Sequence, residues 1–174
     1  MEGHRSSYTT KKITMAAVMA ALIFVVTWLV KIPVGIGHAY FNLGDVIIYM
    51  CAYLLGGPLA ALAAAIGSGL ADVAGGAVVY AVPTLIIKGL MGLVVGKVTG
   101  KQAFGRYVVA CAAAGGIMVL GYGLFEFFMF GFSYMIASVP FNLLQWGIGV
   151  AAAAAIYGAT RQIARYFDFR GVKG

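Results

Sequence analysis

Asn42, Asp45, Asp72, Lys88, Glu126, Asn142 and Gln145 are the residues with chemistry to offer, and they stand inside or beside long apolar runs. Four of them fall in the single stretch from Tyr40 to Met91. In lipid such groups are expensive, roughly 2.5–3.5 kcal/mol each near the centre of a helix for a charged side chain. A cost of that size marks a functional site. Two kinds of carboxylate, an ammonium and side-chain amides provide donors and acceptors for a small polar ligand. Tyr40, Phe41, Tyr80, Tyr122 and Trp146 can stack on a ring. Catalytic arrangements are poorly represented. Asp45 and Asp72 would be the acid pair of a small membrane enzyme, but no motif accompanies them. There is no H-E-x-x-H and no Cys/His cluster, and His4 and His38 fall in a tail and a loop. The segment 92–98 departs from a phosphate loop, with Met91 at the first Gly position and Val98 at the Ser/Thr position.

The composition supports a lipid setting. Of 174 residues, 63% are hydrophobic and 10% charged, against about 25% charged in a soluble domain. The class is an all-α integral membrane protein, a single helical domain over 1–174. Cys51 and Cys111 both lie in apolar runs, which suits burial rather than a disulfide or a metal. The net charge of +7 does not indicate nucleic acid, because of where the charges fall.

The hydropathy pattern predicts helices at about 13–30, 45–56, 58–74, 82–96, 107–129 and 140–160. The basic start before Ile13 also resembles a signal peptide, but the apolar run is long and Lys31-Ile32-Pro33-Val34 is no cleavage site. Pro33, Gly35 and Gly37 make 31–44 a loop. The run from Val46 to Ala71 is interrupted at Gly56-Gly57-Pro58 and reads as one long helix or two short ones. Charge decides between them. With a turn there, Arg5, Lys11, Lys12, Lys97, Lys101, Arg106, Arg161, Arg165, Arg170 and Lys173 share one side, ten of the twelve Lys and Arg. Without it, the 97–106 loop and the C-terminus would lie opposite the N-terminus, against the positive-inside rule. Six transmembrane helices with both termini cytoplasmic follow. A re-entrant hairpin at 46–71 gives the same parity.

On that topology the polar residues gather near the outer ends. Asp45 is placed to cap its helix, and Asn42 to hold a turn in the loop. Lys88 lies five residues past Pro83, about 7–8 Å down. Asp72, near a helix C-terminus where an anion is disfavoured, needs a cation, and Lys88 is the candidate, with Glu126 as its competitor. Asn142, Gln145 and Trp146 share one face of the first turns of the last helix. Lys31 reads as a snorkelling anchor and Trp146 as an interfacial one. The inner halves hold almost no polar group.

Four stretches together resemble the S components, the substrate-binding subunits, of energy-coupling factor vitamin transporters. They are 14–21 (TMAAVMAA), Asn42-Leu-Gly-Asp45, the segment from Leu55-Gly-Gly-Pro58 to Gly67-Ser-Gly-Leu-Ala-Asp72, and 83–92 (PTLIIKGLMG). The resemblance implies six helices in a prokaryotic cell membrane and a vitamin site near the outer face, closed by the loop between the first two helices. It also implies docking to a transmembrane coupling subunit that carries two ATPases. Docking would use an Ala-x-x-x-Ala face, here Ala16/Ala20 or Ala17/Ala21. Substrate-binding residues would be Tyr40, Asn42, Asp45, Asp72, Tyr80, Lys88, Glu126, Asn142, Gln145 and Trp146, with no cofactor. The short form looks most like members for hydroxymethylpyrimidine or pyridoxine, with riboflavin members next. A self-sufficient secondary transporter is the alternative class, and it would need a polar path to the inner face.

Overall fold

The structure, a computed structural model, describes residues 2–33, 40–99 and 103–167. Seven helices are present among them: α1 (Glu2–Leu29), α2 (Gly44–Leu55), α3 (Gly57–Ala74), α4 (Val78–Val98), α5 (Phe104–Phe130), α6 (Phe132–Ala155) and α7 (Tyr157–Phe167). Between α1 and α2, β1 (Ile32–Pro33) and β2 (Tyr40–Phe41) form a two-residue antiparallel ladder pairing Ile32 with Phe41 and Pro33 with Tyr40.

Helices α1 to α6 stand in the six stretches expected to be membrane helices, but only five of them are long and apolar enough to cross a bilayer. The exception is α2. Its 12 residues reach about 18 Å at 1.5 Å per residue, a little over half the hydrocarbon thickness. The Gly56-Gly57-Pro58 turn is real: Gly56 has φ 86°, which a side chain would resist, and Pro58 sits in the first turn of α3, where its missing N–H costs nothing.

Two boundaries differ from the sequence expectation for one reason. Pro83 and Pro140 were natural helix starts, yet both stand inside helices, α4 and α6. A helix walled by neighbours can absorb an internal proline in lipid. The last membrane helix therefore begins at Phe132, directly after Gly131 (φ 89°), and the segment 132–139 is helix rather than loop. It stops at Ala155, and α7 is separate.

One end of the bundle gathers the start of α1, the α2–α3 turn, the end of α4, the start of α5, and α7. Lys97 packs on Gly57, Tyr157 stacks edge-on to Phe104 at 5.1 Å, and Tyr166 and Phe167 face α1 from Thr10 to Val18. At the other end, Lys31 after α1 meets Gly75 after α3. The basic residues Lys11, Lys97, Arg106, Arg161 and Arg165 belong to the first end. Lys101, Arg170 and Lys173 lie outside the described residues.

The burial pattern is inverted relative to a soluble protein. Leu120 and Phe128 are each 75% exposed, while Asp45, Asp72, Lys88, Glu126 and Gln145 are at most 4% exposed. Apolar side chains outside and charges inside are what a lipid surround selects.

Candidate functional site

Three helices contribute polar stripes at helical spacing. On α4 the stripe is Tyr80, Thr84 and Lys88; on α5 it is Glu126, Tyr122 and Met118; on α6 it is Tyr134, Ser138, Asn142 and Gln145. Steps of three and four keep each set on one face, and the hydrogen bonds show that the faces meet. Nearest the Gly131 end, the Tyr80 hydroxyl donates to Glu126 Oε1 at 3.1 Å and lies 3.1 Å from the Tyr134 hydroxyl. The Ser138 hydroxyl donates to the other oxygen of Glu126. One layer deeper, the Thr84 and Tyr122 hydroxyls are 2.8 Å apart.

At the bottom is a charged node. The Lys88 ammonium donates to Asp45 Oδ1 at 2.5 Å, and Gln145 Nε2 donates to Asp45 Oδ2 at 2.8 Å. Both donors also reach the Met118 sulfur, at 3.2 and 3.3 Å. Lys88 Nζ stands 5.5 Å from the centre of the Tyr122 ring. The node is deep. Lys88 is ten residues from the start of α4 and Gln145 thirteen from the start of α6, about 15 and 20 Å along their axes. Below it Met91, Val95, Ala110 and Ala114 are fully buried, beside the phenols of Tyr49, Tyr53 and Tyr107, and no acidic or basic side chain is among the described buried residues there.

Asn42 to Gly44, at the start of α2, close on this node. The Asn42 backbone N–H donates to Gln145 Oε1 at 3.1 Å, and the Asn42 side chain accepts the Gly44 N–H at 2.9 Å. Gly44 lies so close to the Thr27 hydroxyl of α1 that a Cβ there would collide with it. The short α2 thus starts at mid-depth, with Asp45 in its first turn, where the helix dipole favours an anion.

Several expectations are corrected. Asp45 does not cap α2: Leu43 holds the cap position without a side-chain bond, and the Asp45 carboxylate projects sideways to α4 and α6. Lys88 pairs with neither Asp72 nor Glu126 but with Asp45, which the first turn of α2 holds between Lys88 of α4 and Gln145 of α6. Asp72 does face a cation, Lys31, whose ammonium donates to the Ala71 carbonyl at 3.1 Å. Lys31 is therefore a brace on the α3 C-terminus rather than an anchor in the headgroups. Burial lowers its pKa, and the Asp72 carboxylate opposes that shift. Gln145 and Asn142 lie in the middle of α6 instead of its first turns. Trp146 is no interfacial anchor: its indole fills the notch left by Gly115 on α5. Tyr40 contributes backbone to β2, and its side chain lies outside the described residues.

Asn142 presents a buried Nδ2 with no hydrogen-bond partner, an uncommon condition for a buried amide. Of the alanine pairs, Ala16 and Ala20 pack against the core, and a methyl on Gly67 of α3 would come 2.5 Å from the Ala20 carbonyl. Ala17 and Ala21 are exposed. Residues missed from the sequence are Met118, Thr84, Tyr134 and Ser138. The last two were hidden by starting the helix at Pro140; drawn through it, they continue the Asn142–Gln145 stripe.

Buried polar stripes that converge between apolar-coated helices are the mark of a multi-pass membrane protein. The sequence model of the family described as "ECF-type riboflavin transporter, S component" matches residues 7–162, and the chain belongs to that family. It is thus a substrate-binding subunit of energy-coupling factor transporters, whose members bind small vitamins and associate with an energy-coupling module. An uncharacterized protein of Pyrococcus woesei is 35% identical over 127 residues, covering 72% of this chain and 85% of its own length. The fold also matches a solved S component of a bacterial ECF transporter with TM-score 0.72 at 16% identity, covering 91% of this chain and 98% of that one.

Proposed function

We propose that this chain is the capture subunit of an ATP-driven uptake system for a small hydroxylated heteroaromatic vitamin or precursor. A hydroxymethylpyrimidine- or pyridoxine-like ring is the first reading. The observation that carries it is the polar column: hydroxyls, a carboxylate and amides line its upper part, one charged node forms its floor, and among the described residues no acidic or basic side chain is buried below that node. Ionised groups that end at mid-depth suit binding and release with a partner's help, whereas an ion-coupled secondary transporter needs them on both sides of its site. The ring would lie among Tyr80, Tyr122 and Glu126 above and Lys88, Gln145, Asn142 and Asp45 below, with Asn42 closing the loop over it. Asp72, beside Lys31, supports the C-terminal end of α3 at the mouth of the column, and Trp146 shapes the α5–α6 wall. Riboflavin is the second reading, favoured by the name of the matching family.

The basic end faces the cytoplasm in this proposal, and the exposed Ala17/Ala21 pair on α1 receives the coupling subunit, which brings two ATPases. The test is to reconstitute the chain alone and titrate it with hydroxymethylpyrimidine, pyridoxine and riboflavin, then measure uptake. Saturable binding of one of these without accumulation is expected. Accumulation by the lone chain would establish a secondary transporter, and no binding of any of the three would overturn the substrate class.

A further inference from the structure

The α1–α7 groove lies at the opposite end from the mouth of the column, and nothing in the ligand site uses it. It has a volume of about 730 Å3, within the roughly 300–1,000 Å3 range of small-molecule clefts. Thr10, Lys11 and Thr14 line one part of it, and Met15, Val18 and Phe167 another. The two parts follow depth. The apolar span of α1 starts at Thr10, so the Lys11 turn stands where headgroups begin. Val18 is eight residues on, about 12 Å further along the axis and inside the hydrocarbon.

The second wall is α7, which crosses the end of the bundle. Tyr157 at its start packs against Phe104, Tyr107 and Tyr53; Tyr166 and Phe167 at its finish reach α1. Thr160 and Ala164 are its buried positions. Arg161 and Arg165, four residues apart on one flank, are exposed, as are Ile163, Tyr166 and Phe167. A short helix with apolar and arginine-bearing flanks has the composition of one lying in a membrane interface. Of the five carboxylates, Asp45, Asp72 and Glu126 are elsewhere in the molecule, Glu2 opens α1 nine residues before Lys11, and Asp168 lies outside the described residues.

We propose that this groove holds an anionic phospholipid of the leaflet at the basic end. Lys11 meets its phosphate, Met15, Val18 and Phe167 line the first part of an acyl chain, and Arg161 and Arg165 raise the local concentration of anionic headgroups. The charge complementarity and the continuity of the groove with the lipid-facing side of α1 select a lipid as the occupant.

The test uses the full chain in nanodiscs of phosphatidylcholine doped with phosphatidylglycerol, with retained lipid counted by native mass spectrometry. Wild type should retain phosphatidylglycerol in preference, and Lys11→Gln should lower that preference about five-fold. Lys97→Gln, at the same end but packed on Gly57, should change it little. Added inorganic phosphate should not displace the lipid. The proposal is overturned by an absence of preference in wild type, or by equal losses in the two variants, which would mean diffuse surface charge. Displacement by phosphate would also overturn it, in favour of a simple anion site.

Discussion

α4 has two faces, and they are held by opposite means. Toward α3 it presents Gly89, Gly92 and Gly96, and the two backbones nearly touch: a methyl on Gly92 would come 2.7 Å from the Ala60 carbonyl. The same kind of seam joins α3 to α1 at Gly67 and Ala20. Toward α5 and α6 it presents Tyr80, Thr84 and Lys88, which are held by a few directional bonds. In lipid, where apolar surface gains nothing by leaving its solvent, close packing and hydrogen bonds are the available sources of cohesion. The glycines and alanines of the seam have no polar side chain to offer a ligand. The column has donors and acceptors that can change partners. One half is built to stay put and the other to open.

The largest effect is expected where the column depends on charge. Lys88→Met leaves the Asp45 carboxylate without its cation, and Asp45→Asn does the reverse. Breaking one side of a buried pair costs about 3–5 kcal/mol. The double variant Asp45→Asn/Lys88→Met should lose less than the sum of the two, because no charge is stranded. In whatever folded Lys88→Met protein survives, ligand affinity should fall roughly 10- to 150-fold, the worth of a hydrogen bond to a charged group. Thermal melts and titrations of the three variants check this. Strictly additive losses in the cycle would show that the 2.5 Å pair does not hold the column together.

The seam is tested by adding one carbon. Gly92→Ala gains about 1 kcal/mol in helix propensity but pushes a methyl against backbone, and overpacking of this kind costs about 1–3 kcal/mol. Net destabilisation is expected. Gly116→Ala on α5, with open space around its Cβ, should be neutral or mildly stabilising. If the two variants melt alike, α3 and α4 are not as close as the structure has them, and the contrast between the faces of α4 fails.

A smaller effect with a telling sign belongs to Asn142. Its unpartnered Nδ2 costs the resting protein the desolvation of a buried donor. Asn142→Ala should therefore leave stability unchanged or slightly raised. If the amide bonds the ligand, affinity should drop about 2- to 12-fold, the range of a neutral hydrogen bond. Lower stability with unchanged affinity would move Asn142 from the site to the scaffold.

The two faces of α4 also differed in how far the sequence revealed them. The six apolar helical stretches, the Gly56–Gly57 turn and the clustering of the described basic residues follow from hydropathy and charge, which are read along one chain, while the separate α7 and the shortness of α2 do not. The partner of Lys88 does not, because it depends on the rotation of α4 about its axis. Three carboxylates, Asp45, Asp72 and Glu126, lie at plausible heights, and the choice of Asp45 is made by the packing of the first turn of α2 between α4 and α6. The depth of Gln145 was misjudged because Pro140 carries the same signal at a helix start and inside a membrane helix. The stripe Tyr134, Ser138, Asn142 and Gln145 was the available correction, a period of three and four running straight through the proline.

The smallest effect on stability is expected on the outer side of the same seam. Ala16 and Ala20 face the core and α3, while Ala17 and Ala21, one position along, are exposed. Ala20→Trp has no room and should unfold the α1–α3 contact. Ala17→Trp meets only the surround, so its melt should stay within about 0.5 kcal/mol of wild type. Titration should give unchanged ligand affinity, since Ala17 is far from the node. Uptake through the assembled complex should nevertheless be lost if Ala17 and Ala21 receive the coupling subunit, because a bulky ring prevents the close helix approach that small residues allow. Stability and affinity kept while uptake is lost is the combination that a docking face alone produces. Uptake retained in Ala17→Trp would move docking to another surface of the bundle, and affinity lost along with uptake would show that α1 transmits strain to the column through Thr27 and Gly44.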